Sequence, residues 1–254
     1  MGMMRIGRVA LAACSAWVMT TFTSGADELD LTTVGASGII NGALFMQIDP
    51  QSTGTGVFEP FVRLQANSTE EGYNTSTKHP PMDDVGSIHT HDLLFSSLGT
   101  VNLNGTDYYK FTLDINESLG GGNELLSLDS ILIWRTDLAS SDFDSLTDLS
   151  AAMGLPLYDL DSGGDNRILL DASLNAGSGS GDMDLLIPFS ILNSGSGDYL
   201  VLYSKFGEKG DDWDSSAGFE EWAGLLGEAI PEPNGFVLAA GGLMLFGCLR
   251  RRRD

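Results

Sequence analysis

Cysteine is almost missing from this chain of 254 residues: there are two, Cys14 and Cys248, each close to one end. Residues 27–228 contain none, which excludes disulfides, zinc thiolates and a cysteine nucleophile from that region. Basic residues are also few, 13 Lys and Arg against 35 Asp and Glu. Two of those acids and six of those bases lie in the terminal stretches, so residues 27–228 carry 33 acids and 7 bases. A domain of that sign offers no basic face to nucleic acid and is repelled by anionic head groups. It favours solubility, and a bound cation such as Ca²⁺ would relieve its self-repulsion. No repeat of fixed period stands out. There is no nucleophile elbow either: Gly177-Ser178-Gly179-Ser180-Gly181 has the letters of that motif by low complexity, but it precedes a strand. The surplus carboxylates single out no glycosidase pair. The domain is therefore expected to be non-enzymatic.

Apolar, uncharged runs are confined to the two ends. Residues 1–26 have the form of a secretory signal peptide: Arg5 and Arg8, an apolar stretch over residues 9–18, then Ser24-Gly25-Ala26 with small residues at −3 and −1. Signal peptidase is expected to cut after Ala26. A rival reading is a lipoprotein cleavage box at Leu11-Ala12-Ala13-Cys14, with Cys14 lipidated. At the other end, Pro231-Glu232-Pro233 forms a stiff break, because each proline lacks an N–H and fixes φ. Residues 235–249 follow without a charge, and Arg250, Arg251, Arg252 and Arg253 close the run. Arginines of this kind stay on the cytoplasmic side, so residues 27–228 are expected outside. Fifteen helical residues rise about 22 Å against a hydrocarbon core of about 30 Å, so this is a short transmembrane helix helped by snorkelling arginines.

That order of Pro-Glu-Pro, short apolar span and terminal Arg cluster resembles the PEP-CTERM sorting signal of Gram-negative bacteria. Pro231, Glu232 and Pro233 match its tripeptide, and Arg250 to Arg253 match its basic end. The resemblance covers about a tenth of the chain. It implies that an exosortase removes the tail at the inner membrane and passes the protein to the cell surface or extracellular matrix. Cys248, inside the apolar run, departs from the pattern. Four stretches of the domain also look like uncharacterised exported bacterial proteins with the same tail: Ser52-Thr53-Gly54-Thr55-Gly56 with Phe61, Glu71-Gly72-Tyr73-Asn74-Thr75, residues 174–183, and Phe219-Glu220-Glu221-Trp222. That likeness brings no activity with it. The organisation read from the sequence is thus a signal peptide over 1–26, a β-sandwich domain over 27–228 and a sorting signal over 229–254.

Within the domain, short apolar segments alternate with Gly, Asn, Asp and Ser clusters, the pattern of an all-β fold. Strands are expected over residues 43–48, 61–65, 88–95, 125–135, 157–160, 168–170 and 183–189. Tyr109, Phe111, Leu113 and Ile115 give the clearest period of two, and residues 199–206, apolar on both faces, read as a central strand. Asn41-Gly42 and Asn104-Gly105 are tight-turn signals. Residues 70–81 read as polar and turn-rich, and residues 177–181 as mobile or cation-associated. Leu138, Phe143, Leu146, Leu149 and Met153 are spaced for one helix, and Phe219, Trp222, Leu225 and Leu226 for a closing helical turn. Together these imply two packed antiparallel sheets, a jelly-roll-like β-sandwich.

Three constellations carry possible chemistry. Asp159, Asp161 and Asp165, with Gly163, Gly164 and Asn166, put oxygen ligands at alternate positions on a turning backbone, as Ca²⁺ requires; Leu170 at the twelfth position excludes an EF-hand. Asp211, Asp212, Asp214, Glu220 and Glu221 lie near Trp213 and Trp222, the composition of a sugar-stacking platform that exopolysaccharide would suit. His89 and His91, two apart on the expected strand, could ligate zinc with His79 or Asp92. Against each stands a plain structural role: an Asp-rich turn, a core tryptophan, a surface histidine. The alternative to a sorted structural protein is therefore a carbohydrate- or calcium-binding module of the envelope, with a polysaccharide hydrolase third.

Overall fold

The computed structural model describes residues 27–48, 59–79, 81–86, 88–175, 179, 181–216 and 218–227. The signal peptide with Ala26, the loop over residues 52–56 and the tail with Pro231, Glu232, Pro233 and Arg250 to Arg253 lie outside the described residues. Among the described residues, no helix is long and apolar enough to cross a membrane.

The chain opens with β1 (Glu28–Asp30), β2 (Ser37–Ile40) and β3 (Ala43–Gln47). Next come β4 (Pro60–Leu64), β5 (Asn67–Ser68), β6 (Glu70–Tyr73), β7 (Leu93–Leu94), β8 (Thr100–Leu103) and β9 (Thr106–Ile115). The long β10 (Leu125–Thr136) leads to α1 (Leu146–Met153), β11 (Tyr158–Asp159) and β12 (Arg167–Asp171). The chain closes with β13 (Met183–Pro188), α2 (Phe189–Leu192), β14 (Tyr199–Phe206), β15 (Ser215–Ser216) and β16 (Glu220–Gly224). The β2–β3 and β8–β9 hairpins turn at Asn41-Gly42 (φ 49° and 85°) and Asn104-Gly105 (φ 52° and 87°). Positive φ at both central residues gives the turn whose twist matches its strands, and Asn-Gly tolerates it best.

The strands form an antiparallel β-sandwich. One sheet runs β1-β12-β10-β14-β6, with β11 on β10 and β7 on β14; the other runs β2-β3-β13-β9-β16-β4, with β8 on β9. β5 and β15 make a separate two-stranded ribbon. Among the described residues every strand pairing is antiparallel except β1 with β12. The inner faces meet in one core holding Phe45, Phe61, Phe111, Leu113, Leu128, Ile131, Leu185, Leu202 and Trp222. Phe61 and Phe111 contact edge to face at 6.2 Å between ring centres, a favoured aromatic geometry.

β14 is apolar on both faces because both are covered. Leu200, Leu202 and Phe206 enter the sandwich core. Val201 and Tyr203 join Tyr73, Trp134 and Leu149 in a second cluster on the outer side, where Phe143, Leu146 and Met153 also pack. α1 therefore lies against the outer face of the first sheet. It begins at residue 146, later than the apolar spacing suggests, because the Ser145 hydroxyl accepts the Asp148 N–H at 3.2 Å and caps it there. Leu138 is left 49% exposed, and Phe143 reaches the cluster from outside the helix.

Three other expectations are corrected. Residues 88–92 are turn and coil, and only Leu93–Leu94 is strand. The His89/His91 pair therefore does not stand on a strand face; His91 Nδ1 lies 2.9 Å from the Asp92 carbonyl oxygen. Residues 220–224 form a strand between β9 and β4, not a helical turn. Residues 70–73, read as polar and turn-rich, are an edge strand paired with β14. Its polar letters conceal a buried Glu70 and a Gly72 whose added Cβ would lie 2.6 Å from Leu64 and 2.7 Å from Asp84.

Candidate functional site

The sites expected from sequence take different places in the fold. In the Asp159 loop one oxygen of each carboxylate is engaged close by. Asp159 Oδ1 accepts the Asp161 N–H at 2.8 Å, Asp161 Oδ1 accepts the Asn166 N–H at 2.9 Å, and Asp165 pairs with Arg167 at 3.2 Å. Burial pushes the Asp161 carboxyl up to about 6, against the Asn166 N–H, which lowers it. Asn166 ties the loop to the first strand by accepting the Asp27 N–H at 2.8 Å. These bonds are those of an Asp-rich turn.

Trp222 is 0% exposed and donates its indole N–H to the Ser204 hydroxyl at 3.1 Å. It is a core residue and presents no ring face to a sugar, which corrects the stacking platform at that position. Trp213 is half-buried in a single 3₁₀ turn, with the Lys209 ammonium 5.0 Å from its ring centre. Gly179 and Gly181 donate N–H groups to Asp114 at 2.7 and 3.1 Å, so a carboxylate anchors this part of the glycine-serine turn. A surface hollow of about 300 Å³ lies beside Glu59, Lys110, Thr112, Leu225 and Leu226. Ala223, Leu225 and Leu226 form its apolar side beside Glu59 and Lys110, and Lys110 is paired with Asp184 at 2.7 Å.

The concentrated chemistry lies elsewhere, at the end of the sandwich closed by the β5–β15 ribbon. Glu70 opens β6, Glu220 opens β16, and Glu117 follows β9 by two residues. Glu220 sits across from Ile115 of β9 and Leu64 of β4. It points the same way as Trp222, two residues on, and therefore inward. Glu70 is 1% exposed, Glu117 6% and Glu220 0%. The Glu220 carboxyl lies within hydrogen-bonding reach of both other carboxyls.

Few donors serve these six oxygens. Glu70 Oε2 accepts the Ala66 N–H at 2.8 Å and lies 3.5 Å from the Ser215 hydroxyl. Glu117 Oε2 accepts the Ser216 N–H at 2.8 Å and the Ser216 hydroxyl. Glu70 Oε1, Glu117 Oε1 and both oxygens of Glu220 accept no N–H or hydroxyl hydrogen bond among the described residues, and the carboxyls of Glu220 and Glu70 hydrogen-bond each other, Glu220 donating. The groups whose charges act on Glu70 and Glu220 are all acids. Arg63 is engaged by Glu221 on the opposite face of β16, at 2.5 Å, and stacks over Phe219. Burial pushes Glu220 far up, and the neighbouring glutamates push it further; Glu70 is raised mainly by burial.

Two glycines let the ribbon close over this cluster. A Cβ on Gly218 would sit 2.1 Å from the Asn116 carbonyl oxygen, and one on Gly207 would sit 2.0 Å from the Ser68 carbonyl oxygen. Gly207 also has φ +79°, which disfavours any side chain. None of the three glutamates stood out as a group in the sequence, where 47 residues separate the first two. The usable signal was the period of two in Glu220-x-Trp222, which places the acid on the tryptophan's face once residues 220–224 are taken as strand.

The geometry defines an acidic antiparallel β-sandwich with buried carboxylates at one end. No protein-family model matches the chain, no curated protein matches it, and no solved structure matches it.

Proposed function

We propose that this chain is an exported, non-enzymatic protein of the bacterial surface or extracellular matrix, delivered by exosortase sorting of its C-terminal tail. The observation that carries the reading is the fixed order of Pro231-Glu232-Pro233, an uncharged run over residues 235–249 and Arg250 to Arg253. The signal-peptide pattern ending at Ala26 supports the same route. Signal peptidase and exosortase are then its processing partners, the inner membrane its station in transit, and the jelly-roll-like sandwich its mature part.

The domain fits that destination. It needs no disulfide, since its cysteines lie only in the terminal stretches, and its excess of acid keeps it soluble outside the cell. The three carboxyls that face one another are buried, so they do not flank a cleft that a glycosidic bond could enter. Fractionation of cells with and without exosortase tests the proposal. Tail-free protein is expected outside the cells only when the enzyme is present. Full-length protein in the cytoplasm of both strains would overturn it.

A further inference from the structure

We infer that Glu70, Glu117 and Glu220 form a pH-released latch on the β5–β15 ribbon, closed while Glu220 keeps its proton and opened as the cluster ionises. Two of these carboxyls grip the ribbon directly. Glu117 Oε2 accepts the Ser216 N–H at 2.8 Å and the Ser216 hydroxyl, so it holds β15. Glu70 Oε2 accepts the Ala66 N–H at 2.8 Å, just before β5, and lies 3.5 Å from the Ser215 hydroxyl. Glu220 is fully buried and joins the two grips, because its carboxyl hydrogen-bonds with both of the others. A carboxyl donates such a bond only when protonated, so loss of the proton replaces attraction by repulsion.

The surroundings make that repulsion felt. The groups whose charges act on Glu70 and Glu220 are each other, Glu117 beyond β9 and Asp83 beside β6, all acids. Arg63 of β4 is engaged by Glu221 on the opposite face of β16. Asp182 accepts the Ile115 N–H across β9 from Glu220, and Asp84 packs against Gly72 of β6 and accepts the Tyr73 N–H; each is pushed up to about 8 by burial, and neither bonds the ribbon. Burial and the acidic neighbours raise the Glu220 carboxyl well above its ordinary 4.5, and burial raises Glu70. Closed, the latch thus holds a proton that opened, hydrated carboxyls release at neutral pH. The opening equilibrium grows with pH by about tenfold per unit for each proton released, until the closed latch itself ionises. The ribbon is the element able to respond, since β5 and β15 are two residues each and so short a pair opens apart from the long strands.

Amide hydrogen exchange on the full chain in mild detergent, read at Ser216 and Ala66 and corrected for the intrinsic pH dependence of exchange, tests the latch. Between pH 6 and pH 8 protection at both amides should fall by at least about tenfold, while staying below that of the amides in β10 and β14. Glu220→Gln keeps the shape but cannot ionise, and should abolish most of the fall. Should that variant fail to fold, Glu70→Gln removes the other raised carboxyl and should shrink the fall. Asp182→Asn and Asp84→Asn should leave it in place. Protection independent of pH in the wild type would overturn the inference. So would a fall that persists unchanged in Glu220→Gln, or in Glu70→Gln where that variant replaces it, or one that is lost in Asp182→Asn or Asp84→Asn. Ribbon amides protected equally with those of β10 and β14 would overturn it too, because the sandwich would then open as one unit. None of these results depends on how the chain is sorted.

Discussion

Replacing Trp222 distinguishes a core residue from a ligand platform by magnitude alone. Its indole is 0% exposed within the sandwich core, on a strand held between β9 and β4. Truncating a buried tryptophan to alanine costs about 3–5 kcal/mol in lost transfer energy and cavity. Trp222→Phe fills most of that space but removes the 3.1 Å bond to Ser204, which is itself 0% exposed. It leaves that hydroxyl without its indole donor, at a cost of about 1–3 kcal/mol. For a domain of about 200 residues, each kcal/mol moves the melting point by about 2–4 °C. Trp222→Ala should therefore lower Tm by about 6–20 °C and Trp222→Phe by about 2–12 °C. Thermal melting followed by far-ultraviolet circular dichroism measures both shifts, and a constant slope in urea unfolding confirms that the change lies in stability. If Trp222→Ala cost less than about 1 kcal/mol, the value for an exposed ring, the core assignment would be refuted.

Two further perturbations follow from the same packing. Burial pushes Asp182 up to about 8, with Asp114 and Asp171 raising it and the Ile115 N–H and Asn175 opposing. Between about pH 4 and 8 the folded state thus holds a proton that the unfolded chain has released. This group's contribution to stability falls as pH rises through that window, by at most about 1.4 kcal/mol per pH unit. Asp182→Asn should flatten the dependence in urea titrations at pH 5 and pH 8, and a slope equal to wild type would sink the assignment. Gly218→Ala places a methyl 2.1 Å from the Asn116 carbonyl and should cost about 1–3 kcal/mol while loosening the ribbon. Hydrogen exchange at the Ser216 amide reports this locally, and unchanged protection there would count against the close approach.

Elements dictated by local chemistry were legible in the sequence; those dictated by partners were not. Asn104-Gly105 requires the positive φ it adopts, and Tyr109 to Ile115 has one apolar face, so a hairpin arm followed from residue types alone. β14 was legible as central because neither of its faces is polar. β6 was hidden because Glu70, Glu71 and Gly72 read as loop, and only pairing with β14 makes them a strand. The helical spacing of Phe219, Trp222 and Leu226 was misleading. β16 fills the space between two strands, and long-range pairing overrides a short 3.6-residue period. The helix over residues 138–153 was right in kind but too long at its start, where the Ser140 N–H and hydroxyl bond the Asp92 carboxylate instead.

The buried glutamates are gathered by the fold rather than by sequence proximity. Residues close in sequence, such as Asp159, Asp161 and Asp165, are conspicuous as oxygen ligands because a turn can gather them unaided. A turn that gathers carboxylates also supplies N–H groups that satisfy them, as the Asp161 and Asn166 amides do. Where separate strands bring acids together in the core, burial and mutual repulsion raise the carboxyls instead, as for Glu70 and Glu220. Glu70 and Glu220 come from opposite sheets, and the strand ladders already consume the amides around them. The position least apparent in the sequence is therefore the one most perturbed in the fold: burial and two acidic neighbours hold the Glu220 carboxyl protonated.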